Sequence, residues 1–396
     1  LMGKFLSYKN NLSKLQKIYY GSMHKLITLR ADGIKSYQLY FLIQLFSITA
    51  LYIIMEGIFV RDFFWYPDLT ETSQEGGEMA YFACSWDTPN FLYTMGVCAL
   101  GITALSNWQI IFLALFLNTL RDLIIVNIAL DAFEKNKKKA LVYVLVLVLT
   151  LNPYLGYNHL RLTTDTFACL GILHIFVAAY YRQPLSLKFL AIASLLTAIR
   201  NPLAIPYIVY IFFATGPFLQ RAFEIKGMVF IGCIVGLILS FGGIEYFNLV
   251  SPALSYGPYS FFEIKILLND LPIYVSSLLS FIILIPLHLF LLLSARELIV
   301  GYGFITIFEN GMSAAIISIL FIFIMVVMNS ISSYGTIKYF AKKNWLVLSI
   351  FAYVIPSFLI VAHLRYLYPL MPILSLGFVL WINETGKANK IINRYF

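Results

Sequence analysis

The chain has 396 residues, 60% of them apolar or aromatic and 12% charged, with a formal net charge of +9 at pH 7. Soluble domains carry roughly a quarter charged residues, so water is excluded as the main solvent. A phosphate-tracking nucleic-acid binder is excluded too, because the Lys and Arg residues cluster at the ends of apolar runs, which is the positive-inside pattern.

Apolar runs of about 14 to 22 residues recur from end to end with short polar breaks. They predict one all-α polytopic membrane domain of about 11–12 transmembrane helices with short outer-face loops, rather than two or three soluble domains. Residues 1–36 carry Lys4, Lys9, Lys14, Lys17, Lys25, Arg30 and Lys35 against Asp32, with Leu, Ile and Tyr interleaved. This predicts a cytoplasmic amphipathic segment lying on anionic lipid. The first span runs from Tyr37 to about Val60. It follows a long basic stretch without a cleavage site and is expected to stay as an anchor.

The sign of the charge then reverses: Asp62, Asp68, Glu71, Glu75, Glu78 and Asp87 stand against Arg61. Residues 61–107 therefore form the first outer loop. The apolar stretch Phe91–Asp131 could hold two spans, but two would leave Lys135, Lys137, Lys138 and Lys139 outside, against the positive-inside rule. Phe91–Ser106 is accordingly expected as an interfacial or re-entrant helix, and Trp108 to about Leu130 as one inward span with Trp108 at the outer interface. Ala140–Asn152 goes outward, Pro153–Thr164 makes a short outer loop, and the chain returns inward to Tyr181 and Arg182.

Two shorter segments broken at Arg200-Asn201-Pro202 bring the chain back inside at Arg221 and Lys226. Met228 to about Phe247 goes outward to a second outer loop with Glu245, Glu263, Lys265 and Asp270, and Ile273–Leu293 returns to Arg296. Parity requires a short outward crossing at Leu298–Gly311 if Lys338, Lys342 and Lys343 are inside. Trp345–Ala362 then goes out and Tyr368–Trp381 comes back. The membrane domain thus covers residues 37–382, followed by a cytoplasmic tail at 383–396 with Lys387, Lys390 and Arg394. Cys84, Cys98, Cys169 and Cys233 lack ligand spacing, so neither a zinc site nor a disulfide framework is expected, although Cys84 and Cys98, in or beside the first outer loop, could pair with each other.

A charge in hydrocarbon costs about 2.5–3.5 kcal/mol on insertion scales, so charges at membrane depth are candidates for function. Asp62 and Asp68 follow the first span. His159, Arg161 and Asp165 mark the next outer boundary, Arg200 sits in the broken pair, and His363, Arg365 and Tyr366 occupy the last outer turn. Acids and bases are expected to face each other at the outer mouth of the bundle. Each Arg alone also fits a snorkelling anchor, and each acid a solvated one.

The runs "NPYLGYNHLRLTTDTFACLGILHIF", "LKFLAIASLLTAIRNPLAIPYIVYIFF" and "AHLRYLYPLMPILSLGFVLWI" resemble the membrane core of GT-C glycosyltransferases, enzymes that use polyprenyl-phosphate sugars and include protein mannosyltransferases and aminoarabinose transferases. In that family a short span ends in Arg or Lys followed by Pro, and an Arg-Tyr-x-x-Pro pattern, here Arg365-Tyr366-Leu367-Tyr368-Pro369, announces the final span. The resemblance implies a multi-pass enzyme of the cytoplasmic membrane that moves a sugar from a lipid-linked donor to a glycan or lipid acceptor on the outer face, in cell-surface glycan assembly.

It also implies a catalytic carboxylate in the first outer loop. "GGEMAYFA" offers Glu78 and Tyr81 in matching places, but Gly77 stands where the family has Asp. Asp62 in "RDFFWYPDL" resembles the Asp of other branches, and Asp68 is the next candidate. Such a carboxylate would take the acceptor proton, while Arg161, Arg200 and Arg365, with His159 and Tyr366, would hold the donor phosphate. No cofactor is implied, and a divalent metal is left open because no spacing demands one. Two alternatives stand beside this expectation: an oligosaccharide repeat-unit polymerase, and a lipid or solute transporter or flippase, whose signature would be inverted repeats.

Overall fold

The computed structural model describes residues 20–21, 23–58, 105, 107–134, 140–159, 162, 164–183, 187–198, 208, 312–351 and 367–385. Among the described residues there is no strand. The helices, in chain order, are α1 (Ile34–Ile58), α2 (Asn107–Glu134), α3 (Ala140–Thr150), α4 (Pro153–His159), α5 (Thr164–Tyr181), α6 (Leu187–Ala198), α7 (Met312–Lys343), α8 (Trp345–Ile350) and α9 (Met371–Glu384). Short 3-10 turns at Ala31–Gly33 and Tyr368–Leu370 precede α1 and α9.

Local chemistry sets several of these ends. Asn152 caps α4, its Oδ1 accepting from the amides of Tyr154 (3.1 Å) and Leu155 (3.2 Å), and Pro153 takes the first helical position, where no amide is needed. α5 stops at Arg182, which adopts φ 53°, while the Gln183 amide reaches back to Ala178 O at 2.9 Å, closing the helix as glycine usually does. Lys342 and Lys343 complement the dipole at the end of α7. Segment 153–159, expected within an outer loop, is thus helical.

One end of the bundle gathers helix termini from across the chain, and we call it the near end. Arg30, just before α1, pairs with Asp32 at 3.2 Å and with Asp131 in the last turn of α2. Burial opposes the Arg30 charge, but the two carboxylates outweigh it and raise its pKa above the usual arginine value. Tyr181 Oη donates to Asp131 at 3.0 Å, Arg182 donates to Lys343 O at 3.1 Å, and Lys343 meets Glu384 at 3.6 Å. Asn344 ties α7 to α5 by donating to Ala179 O and Tyr180 O. Hence α2, α5, α7 and α9 all arrive at the near end, whereas α1, α3 and α8 leave it.

Two pairings hold these helices in register. α1 and α2 lie antiparallel, Tyr37 bonding Asn127 and Tyr40 bonding Asp122. α7 and α9 lie parallel and very close: Thr336 Oγ1 donates to Leu374 O at 3.0 Å, and Gly335 rests against Phe378 and Trp381. A side chain on Gly377 would land on Thr336. Small residues allow such an approach of two backbones.

Buried polar groups and exposed large apolar side chains both stand out among the described residues. The interior holds a large apolar cluster, including Ile125, Val146, Phe176, Phe340 and Leu376, and a smaller one of Ile110, Ala114 and Leu162, but it also buries Asn118, Arg121, Asp122, Asn127, His159 and Asp165. The exterior carries Phe41, Leu42, Leu45 and Phe46 on α1, Trp108, Phe112 and Phe116 on α2, and Ile319, Leu320 and Phe323 on α7, all about half to seven-tenths exposed. Trp108–Phe133 is the one helix among the described residues that is long and apolar enough to cross a membrane, with a mean hydropathy of 1.8.

Candidate functional site

Midway along α2 the sequence places Asn118, Arg121 and Asp122 within an apolar helix, on the face that turns inward. Asp122 lies nine residues before Asp131, so it stands about 13 Å from the near end along the helix axis. Arg121 Nε donates to Asp122 Oδ1 at 2.8 Å. Its Nη1 donates to Asn118 Oδ1 at 3.0 Å and to Tyr368 Oη at 2.7 Å, and lies 3.7 Å from Cys169 Sγ. Nη2 is buried and has no hydrogen-bond partner. The Arg121 guanidinium also sits over the Tyr368 ring, 5.3 Å from its centroid.

His159 approaches the other oxygen of the carboxylate. α4 carries it from the Asn152 cap back into the bundle, where its side chain is fully buried. Its Nδ1 lies 2.7 Å from Leu155 O, and its Nε2 lies 3.0 Å from Asp122 Oδ2. Tyr40 of α1 completes the group, its Oη 2.9 Å from Asp122 Oδ2 and 3.1 Å from His159 Nε2. A carbonyl oxygen can only accept, so Nδ1 carries a hydrogen. Nε2 facing a carboxylate oxygen then needs one further proton between the two atoms. His159 and Asp122 therefore share one proton between Nε2 and Oδ2, while Arg121 holds Oδ1, so each of these buried groups has a hydrogen-bonding partner, as burial requires.

Asn118 is the hub between distant parts of the chain. Its Nδ2 donates to Asn158 O at 3.2 Å and approaches His159 O at 3.5 Å, while its Oδ1 accepts from Tyr368 Oη at 3.0 Å. Tyr154 of α4 packs edge-on against Tyr368, with ring centroids 5.7 Å apart. The last turn of α4 and the 3-10 turn before α9 thus meet at one side chain of α2.

Of the residues singled out from the sequence, His159 lies among the described residues and belongs to this cluster; Asp165, in the first turn of α5, is buried nearby. Asp62, Asp68, Glu78, Arg161, Arg200, Arg365 and Tyr366 lie outside the described residues, as do His363 and, apart from Leu105, the interfacial segment Phe91–Ser106. His159 stands in the bundle interior, flanked by side chains from α1 and α2, and not at an exposed mouth. Arg121, Asp122, Tyr40 and Asn118 were not singled out from the sequence. The signal was present: an adjacent Arg-Asp pair near the centre of a single apolar span is itself a candidate under the rule applied to the other charges.

Among the described residues no three His, Cys, Asp or Glu side chains are placed to hold a metal ion. Cys169 is a buried free thiol. The arrangement can fix charge, hold an exchangeable proton and pin three helices to one another. Comparisons with family models, with curated proteins and with solved structures found no match to this chain.

Proposed function

We propose that the chain is a multi-pass protein of the cytoplasmic membrane, and within that class a GT-C-type glycosyltransferase that moves a sugar from a polyprenyl-phosphate donor to a glycan or lipid acceptor on the outer face. The membrane reading is supported by large apolar side chains facing outward while Arg121, Asp122 and His159 face inward. It is also supported by the near end, where helix termini meet in the order that the expected alternation of crossings requires.

One observation carries the transferase reading: two of the three segments that bear the resemblance meet at Asn118. Arg161 follows His159 by two residues and Arg365 precedes Tyr368 by three. Both are thus close in sequence to residues that touch Asn118. A donor phosphate at that end of the bundle would be met by Arg161 and Arg365, with Tyr366 beside them. Asp62, Asp68 or Glu78 would accept the acceptor proton as the hydroxyl attacks the anomeric carbon.

The test is to incubate the purified chain with polyprenyl-phosphate sugars and isolate glycosylated product and free polyprenyl phosphate. Arg365→Lys should be nearly as damaging as Arg365→Ala, because one ammonium cannot reproduce the planar fork. Removing the base by Asp62→Asn, Asp68→Asn or Glu78→Gln should cost on the order of a hundred- to ten-thousand-fold in rate for one of the three. Full activity in all of these variants would remove the proposed site. The ionic cluster at mid-bundle favours a second reading, ion-coupled transport, since charges at that depth commonly mark ion pathways. Uptake of labelled solute by vesicles, without any lipid-linked product, would select it.

A further inference from the structure

The transferase chemistry leaves the acid–base pair inside the bundle without a role. Asp122 and His159 share one proton between Oδ2 and Nε2, 3.0 Å apart, and Tyr40 Oη stands within hydrogen-bond distance of both atoms, at 2.9 and 3.1 Å. With the proton present, Nε2–H and the Tyr40 hydroxyl both donate to Oδ2. When it leaves, Nε2 becomes an acceptor, and the Tyr40 O–H needs only to rotate to satisfy it. Arg121 keeps hold of Oδ1, and Nδ1–H stays on Leu155 O in both states. One Tyr40 O–H cannot serve Nε2 and Oδ2 together, so the deprotonated state calls for one water donating to Oδ2, with no rearrangement of the helices.

The surroundings differ on the two sides of the pair. Toward the near end, Tyr37 bonds Asn127, Asn127 Nδ2 donates to Leu26 O and Thr28 O, and the Arg30 amide donates to Tyr37 Oη at 3.0 Å. Every polar side chain on that route has a protein partner. Away from the near end, the next inward positions on the Tyr40 face of α1 are Gln44 and Ser47. Both polar atoms of Gln44, which is 4% exposed, lack a hydrogen-bond partner, as does Ser47 Oγ. Buried amides and hydroxyls without protein partners are the groups that internal water satisfies.

We propose that Asp122 and His159 form a proton-binding site reached from the far end of the bundle, along the Tyr40–Gln44–Ser47 face of α1, and closed toward the near end by Tyr37 and Asn127. Loss of the shared proton leaves neutral imidazole beside the carboxylate and passes H⁺ to water on that face; uptake reverses this. The other buried ionisable groups around the pair are Arg121 on α2, Tyr368 before α9, and Cys169 and Asp165 on α5, while the buried residues of α3, Leu141, Val142, Leu145, Val146, Leu149 and Thr150, carry no charge. The proposal rests on the membrane reading and is independent of sugar transfer.

It is tested with ring-¹⁵N-histidine in membrane vesicles of one orientation, internal and external pH being set separately with impermeant buffers. The chain has five histidines, and replacing His24, His174, His288 and His363 by Gln leaves His159 as the sole imidazole. The expected result is a single titration step in the Nε2 resonance that follows the pH at the far-end face and ignores the near-end face. Gln44→Leu should slow that response severalfold or abolish it, with the cluster intact. If the four-histidine variant misfolds, the same step is read as the difference between the native chain and His159→Gln. A step that follows near-end pH, or no step at all, overturns the proposal. A chain that leaves the vesicles on alkaline extraction overturns the membrane reading and the proposal together, whereas absence of sugar transfer bears on neither.

Discussion

Asp122 is fully buried and accepts from three side chains at once, Arg121, Tyr40 and His159. Neutralising one member of a buried, paired set leaves a charge without compensation, which costs about 3–5 kcal/mol. Asp122→Asn, close in shape, should therefore lower detergent-solubilised stability by that amount in thermal or denaturant unfolding. Tyr368→Phe removes only a hydroxyl bonded to Arg121 and Asn118, and should cost about 1.5–3 kcal/mol, the range of a hydrogen bond to a charged group. The opposite ranking would mean that the cluster is organised around Tyr368 and not around the carboxylate. These residues also show where sequence reasoning ends. Arg121 and Asp122 could be found from their position in an apolar run. Which residues pair with them could not, because Tyr40, His159 and Tyr368 are brought in by tertiary packing across separations of 82, 37 and 247 residues that no local pattern encodes.

At the scale of elements, helix boundaries follow closely from composition. α1 begins at Ile34 against an expected Tyr37, α3 ends at Thr150 against Asn152, and α5 covers Thr164–Tyr181 as expected. Such ends are fixed by caps, prolines and charge, all local chemistry. Segment 153–159 shows what is not local: Asn152-Pro153 announces a helix start, but nothing in it says that the helix folds back inward. The parallel contact of α7 with α9 was equally hidden, since helices of this composition are apolar on most faces. Close approach at Gly377 now gives a sharp expectation. Its Cβ in Gly377→Ala would lie 2.6 Å from Thr336 Cγ2, so the substitution should destabilise by about 1–3 kcal/mol. Combining it with Thr336→Ala should recover part of that loss, and unfolding of the single and double variants measures the coupling. Equal loss in both would show that the two helices are not in contact there.

For the molecule as a whole, the near end is the feature that orients everything else. Arg30, Asp131, Arg182, Lys343 and Glu384 meet there, and the basic run Lys135–Lys139 follows α2 directly. If this end is cytoplasmic, a cysteine at Asn136 should be protected from an impermeant thiol reagent in intact cells freed of their outer barrier, and a cysteine at Thr72 should be labelled. The reverse pattern would invert the orientation and remove the case for an external active site. The parallel pair has a consequence for biosynthesis. Thr336 on α7 finds its acceptor, Leu374, 38 residues later. At roughly 5–20 residues per second, α7 waits several seconds for its neighbour. During that wait Thr336, buried in the finished bundle against Leu374 and Gly377, has no α9 to cover it. Ribosomes stalled before Met371 should therefore leave a nascent chain whose α7 is open to capture by insertion factors or quality-control proteases, whereas chains released after Glu384 should resist both.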